Sequence, residues 1–65
     1  STDIKTLQYL QTSGGAGMSA IANHLRVKSQ TYLYELEPYL MFKDFIKIEN
    51  KRMITSKGIE FLKGV

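Results

Sequence analysis

The chain has 65 residues, 43% of them hydrophobic, with nine basic and six acidic side chains, a formal net charge of +3 and no cysteine. That length supports one small domain around one core, since so short a chain buries only roughly 60% of the surface its unfolded form exposes. Without cysteine neither a disulfide framework nor a thiolate metal site can add stability, and the apolar residues recur at helical intervals instead of forming a signal peptide or a membrane span of about 18 residues.

The expected product is therefore a single domain over residues 1–65, soluble and cytoplasmic, with no cofactor or metal. Its charge is unevenly spread. From Ser1 to Phe42, Lys5, Arg26 and Lys28 are balanced by Asp3, Glu35 and Glu37. From Lys43 onward Lys43, Lys47, Lys51, Arg52, Lys57 and Lys63 face only Asp44, Glu49 and Glu60, so positive potential gathers at that end and points to a polyanionic partner. The plainer alternative is a charged surface that keeps the domain soluble.

Ile4, Leu7 and Leu10 recur at helical spacing and predict a first helix from Asp3 to about Gln11, capped by Ser1, Thr2 or Asp3. Thr12-Ser13-Gly14-Gly15-Ala16-Gly17 ends it. This Gly-rich run has no following Gly-Lys-Ser/Thr and no apolar strand before it, which argues against a nucleotide-phosphate loop. Met18, Ile21, Ala22 and Leu25 then predict a second helix with Ser19 as its cap, and the small Ala22 suits a close helix crossing. His24 is the only histidine and has no partner for a metal, so it reads as a half-exposed helix residue.

Arg26-Val27-Lys28 forms the turn, with Val27 as its plug. Arg26 stands where glycine in a left-handed conformation is favoured, so the turn either costs about 1 kcal/mol or takes another geometry. Ser29 is expected to cap a third helix with Tyr32, Leu33, Leu36 and Leu40 inward and Gln30, Thr31, Tyr34, Glu35 and Glu37 outward. The outward carboxylates disfavour a duplex lying along this helix and leave its first turn, near Lys28, as the contact. Pro38 either kinks the helix near Glu35 to Pro38 or opens a new turn after Glu37. Tyr39, Leu40, Phe42 and Phe45 are expected to close the core.

Phe45-Ile46-Lys47-Ile48-Glu49 alternates at period two, and Met53-Ile54-Thr55 answers it as a return strand. Asn50-Lys51-Arg52 between them reads as a tight turn with Lys51 and Arg52 exposed at its tip. Thr55 or Ser56 caps a last helix with Ile59 and Leu62 inward, Phe61 at its margin and Gly64 at its end. The predicted fold is mainly α with a small β-hairpin, a winged helix-turn-helix.

Leu36-Glu37-Pro38-Tyr39-Leu40 contains the Glu-Pro-Tyr-Leu motif of a known family, and the chain resembles the C-terminal winged-helix domain of the Holliday-junction branch-migration ATPase RuvB. Gly14-Gly15 with the helix over Met18 to Leu25, Phe45-Ile46, and Arg52-Met53-Ile54-Thr55 match the family around that motif, with one residue fewer in the hairpin. The resemblance implies DNA contacts from an arginine at the start of helix three and from basic wing residues. Arg52 matches the last wing arginine. The helix position falls on Ser29, where Lys28 can substitute, and the other wing contact falls on Lys47 or Ile48. Two family glycines are Arg26 and Asp44 here.

The implied parent is a hexameric, ATP-dependent motor that works on Holliday junctions in recombination and repair with a RuvA-like partner. This chain has no ATPase motif, so it is expected to be no enzyme but a fragment that grips double-stranded DNA largely without regard to sequence. The expected contact residues are Arg52, Lys51, Lys28, Ser29, Lys47 and Gln30. Two other functions fit a winged helix. One is the DNA-binding domain of a transcription regulator, reading bases through Gln30, Thr31 and Tyr34. The other is protein contact through Tyr34, Tyr39 and Phe42.

Overall fold

The three-residue spacing of Ile4, Leu7 and Leu10 builds helix α1 over Thr2–Ser13 in the computed structural model, which describes residues 2–65. The expected cap at Ser1 lies outside the described residues. Thr6 is fully buried in this helix, and its hydroxyl donates to the Thr2 carbonyl at 2.8 Å, which satisfies the polar group inside the core.

Helix α2, Met18–Leu25, opens on Gly17 rather than on Ser19. The Gly17 carbonyl already accepts from the Ile21 N–H at 3.1 Å, so the helix begins earlier than expected and Ser19 lies inside its first turn. Ile21 and Ala22 are buried, and α2 packs on the helical segment that follows, as the small Ala22 allows.

The turn after α2 takes the more costly of its two expected routes. Arg26 adopts φ 60° and ψ 42°, its N–H reaches the Asn23 carbonyl, and the Val27 N–H reaches the Ala22 carbonyl at 3.0 Å. This is a Schellman closure with arginine in the left-handed seat that suits glycine. The same closure recurs after Phe42. Asp44 sits at φ 63°, with its N–H on the Met41 carbonyl and the Phe45 N–H on the Leu40 carbonyl, each at 3.0 Å.

Helix three runs as α3 (Ser29–Thr31), a π-helical segment (Tyr32–Leu36) and α4 (Glu37–Phe42). Lys28, not Ser29, occupies the cap position: its carbonyl accepts from the Tyr32 N–H at 3.1 Å, and no side chain caps the end. Pro38 explains the π turn. It has no N–H to give the Tyr34 carbonyl and its ring crowds that turn, so the backbone widens and the Glu37 N–H bonds back to the Tyr32 carbonyl, five residues away. The expected disturbance near Pro38 is therefore a widened turn inside a continuous helix.

Strands β1 (Ile46–Glu49) and β2 (Lys51–Ile54) pair antiparallel, with Ile46 opposite Ile54, Lys47 opposite Met53, Ile48 opposite Arg52 and Glu49 opposite Lys51. Only Asn50, at φ 67°, lies between the paired residues, so the turn is tighter than expected and Lys51 and Arg52 belong to the strand. Ala16 adds a third pairing: its N–H donates to the Arg52 carbonyl at 2.9 Å, and its carbonyl accepts from the Arg52 N–H at 2.8 Å.

Helix α5, Ser56–Lys63, is capped by Thr55, whose hydroxyl oxygen accepts from the Gly58 N–H at 3.1 Å and donates to the Asp44 carbonyl at 2.6 Å. Leu7, Leu10, Ala16, Ile21, Ala22, Tyr32, Leu40 and Ile46 form the buried core. The Phe45 and Phe61 rings close its lower margin, stacked 4.7 Å apart. Tyr39 and Phe42 depart from expectation: they are 43% and 83% exposed, and the Schellman turn that follows carries the chain inward only at Phe45.

Candidate nucleic-acid interface

Side chains on a strand alternate between faces, so two consecutive cations cannot both project outward. The pairing decides which one does. Lys47, Glu49, Lys51 and Met53 share one face of the hairpin, and Ile46, Ile48, Arg52 and Ile54 share the other. Lys47 and Lys51 are exposed. Lys47 lies 3.7 Å from Glu49, a solvent-exposed ion pair that holds it only loosely.

Arg52 is turned inward, which corrects the expectation that it stands exposed at a tip beside Lys51. Its Nε donates to Glu37 Oε1 at 2.6 Å and its Nη2 to Oε2 at 3.3 Å, a two-point contact between side chains only 19% and 9% exposed. The Tyr32 hydroxyl donates to the same Oε1 at 3.1 Å. Burial, and then the adjacent Glu37 charge, pushes the Tyr32 phenol above its ordinary value, and the hydrogen bond to Glu37 holds the Arg52 guanidinium above its own.

Glu37 is a second correction. It was expected on the outer face of helix three and is instead 7% exposed, because the π turn shifts the phase of every residue after it. The outer face thereby loses one of its two expected carboxylates and keeps the exposed Glu35. A signal for this was present in the sequence, since Pro38 directly follows Glu37, but α-helical periodicity pointed the other way.

At the start of helix three Lys28 and Gln30 are exposed and Ser29 is half-buried, three consecutive residues at the positive end of the helix. The Gly-rich loop has a role that sequence reasoning missed. A Cβ on Gly15, at φ 123°, would stand 3.1 Å from Lys51 Cε, 3.2 Å from Met53 Cγ and 3.3 Å from the Arg52 carbonyl. The bare backbone lets β2 lie against the loop. Among the described residues no group of histidine, cysteine, aspartate and glutamate side chains is placed to hold a metal ion, and no helix is long and apolar enough to cross a membrane.

His24 is exposed and stacks on Tyr9, ring centroids 4.2 Å apart, which accounts for it as a surface contact between α1 and α2. Tyr34 and Tyr39 are 72% and 43% exposed, and the Lys43 ammonium lies about 6 Å from the Tyr39 and Phe42 rings, so the outer side of helix three is aromatic with one cation.

A helix-turn-helix body with an antiparallel hairpin pinned to it defines a winged-helix domain. The chain belongs to the RuvB C-terminal winged helix domain family, whose model matches residues 1–63. It is 44% identical over 64 residues to the Holliday junction branch migration complex subunit RuvB of Ureaplasma urealyticum serovar 10, a match that covers 95% of this chain and 20% of that protein. The chain thus spans about a fifth of the length of that relative. No solved structure gives a significant match.

Proposed function

We propose that this chain is the duplex-gripping domain of a RuvB-like branch-migration motor, binding double-stranded DNA through phosphates and with little regard to base sequence. The observation that carries the reading is the outward face of the hairpin, where Lys47 and Lys51 are exposed on strands bonded to the body of the domain. Lys28 and Gln30 offer a second contact at the start of helix three, with the Ser29 hydroxyl between them. Lysine acts on phosphate as a point charge, and contacts confined to phosphates carry no base sequence, which suits a motor that must not stall at favoured sequences.

In this reading ATP hydrolysis, hexamer formation and the RuvA-like partner belong to the parent protein outside this domain. The domain takes no cofactor and meets the Holliday junction through its duplex arms. Titrating a fluorescent duplex at low salt tests it. Lys47→Ala with Lys51→Ala lowers affinity on the order of tenfold, and an unchanged affinity rejects this interface. A binding-site selection that returned a defined motif would favour a transcription regulator instead.

The exposed Tyr34, Tyr39 and Phe42 favour a second reading, in which the outer side of helix three docks a protein. Loss of such an association on Phe42→Ala, with duplex affinity unchanged, separates the two surfaces.

A further inference from the structure

The outer side of helix three carries two rows of exposed residues at four-residue intervals. Tyr34, Pro38 and Phe42 form one row, and Glu35, Tyr39 and Lys43 form the other. The three rings are 72%, 43% and 83% exposed and take no part in the buried core or in the layer packed against it. We propose that this side of helix three is a self-complementary surface, which pairs antiparallel with helix three of a second copy of the chain about a two-fold axis. The proposal rests on the second reading above, in which this surface docks a protein, and it names that protein.

The choice of partner comes from charge. Glu35 lies toward the amino end of the two rows and Lys43 closes their carboxyl end, about 12 Å away along the helix. Among the described residues neither makes an ion pair, and the Lys43 ammonium has only the Tyr39 and Phe42 rings about 6 Å from it.

Tyr39 stands midway between Glu35 and Lys43 in the row. A two-fold axis beside it sets Glu35 of each copy against Lys43 of the other, so one surface supplies both halves of the complementarity. Parallel helices would instead bring Glu35 to Glu35 and Lys43 to Lys43, which is repulsive. Nucleic acid fits this surface less well, because the exposed Glu35 would face its phosphates.

Area sets the strength of the contact. Rings exposed to these extents present about 400 Å² per copy, and with Pro38 and the stems of Glu35 and Lys43 a symmetric pair covers on the order of 1,000 Å². That is the low end for a specific interface, so the free domains pair with a Kd of about 0.1–1 mM. Copies tethered close together through a parent chain pair far more fully, since the contact is then made at high effective concentration.

Sedimentation velocity and NMR diffusion of the 65-residue chain, from about 20 μM to about 2 mM, test the pairing. The chain passes from monomer to dimer over that range. Phe42→Ala removes a side chain that the fold does not use and weakens the pairing by about tenfold or more. Glu35→Lys and Lys43→Glu each weaken self-pairing by about tenfold, because each sets like charges together. Mixing these two single variants in equal amounts recovers the dimer, since each copy then offers the charge the other lacks.

A chain that stays monomeric at the highest concentration overturns the proposal. So does a dimer indifferent to Phe42→Ala, and so does a mixture of the two charge variants that recovers nothing. Failure of the wider docking reading is a separate result, read in a monomeric chain from the effect of a soluble paramagnetic agent on the Phe42 ring. A ring open to the agent rejects the second copy alone, whereas a shielded ring packs on its own domain and rejects any docking there.

Discussion

Glu37 and Arg52, fifteen residues apart in the chain, share a two-point contact that joins helix three to the wing. Removing one partner strands the other in a poorly hydrated place, so Glu37→Ala and Arg52→Ala each destabilise the domain by about 2–3 kcal/mol. That is a large part of a total stability of roughly 3–10 kcal/mol for a chain of this size. The double variant Glu37→Ala with Arg52→Ala loses less than the sum of the two single losses, because no unpaired charge remains. Urea unfolding of the four proteins checks this, and strict additivity would mean that the pair contributes nothing specific.

Two turns carry removable strain. Arg26 and Asp44 sit at φ 60° and 63° in seats where glycine has no steric cost. Arg26→Gly raises stability by about 1 kcal/mol and Asp44→Gly by about half as much, since aspartate tolerates the left-handed region better. In a domain this small, each kcal/mol raises the melting temperature by roughly 4–8 °C, which a thermal melt resolves.

Glycines elsewhere are not interchangeable. A Cβ on Gly58 would stand 2.5 Å from the Phe45 carbonyl and 2.6 Å from Ile54 Cγ1, both belonging to packed parts of the wing base. Gly58→Ala therefore costs about 2 kcal/mol or more by forcing α5 off the hairpin. Gly64→Ala meets only the Phe61 carbonyl at 3.7 Å, at an ordinary φ, and stays within about 0.5 kcal/mol. Equal effects in denaturant unfolding would show that α5 does not pack as described.

Tyr32 gives the domain an alkaline limit. Its phenol is held above the ordinary value of about 10 by burial and by Glu37, so the folded state keeps the proton more tightly than the unfolded state does. That stabilisation is complete below about pH 10 and is lost as pH rises beyond it. Tyr32→Phe costs about 1–2 kcal/mol at neutral pH through the lost hydrogen bond to a charged acceptor, and its stability falls less steeply above about pH 10. Melting curves of both proteins across that range check the sign.

The helices and the hairpin were legible in the sequence because their apolar periods are regular: Leu7 and Leu10, and Ile21 and Ala22, face the core as expected, and Ile46 and Ile48 share one face of the hairpin. The left-handed turn at Arg26 was one of two routes the sequence left open, and the one at Asp44 was marked only by the glycine the family has at that position. The candidate site was read less well, for one physical reason. An extra backbone residue in the turn before Pro38 rotates everything after it, which moves Glu37 inward and opens a partner for Arg52. No period counted from Tyr32 contains that shift. The bridge from Ala16 to Arg52 was hidden in the same way, since a Gly-rich loop gives no strand pattern.

Titration of two duplexes of equal length and unrelated sequence, over a range of salt, is the most direct measurement of whether this domain grips DNA by its phosphates. Both should bind with affinities within about twofold of each other, with log affinity falling linearly against log salt by about 0.9 per phosphate contacted. Lys47→Gln with Lys51→Gln should flatten that line by about two such contacts. A strong preference for one duplex, or a slope indifferent to these two lysines, would contradict it.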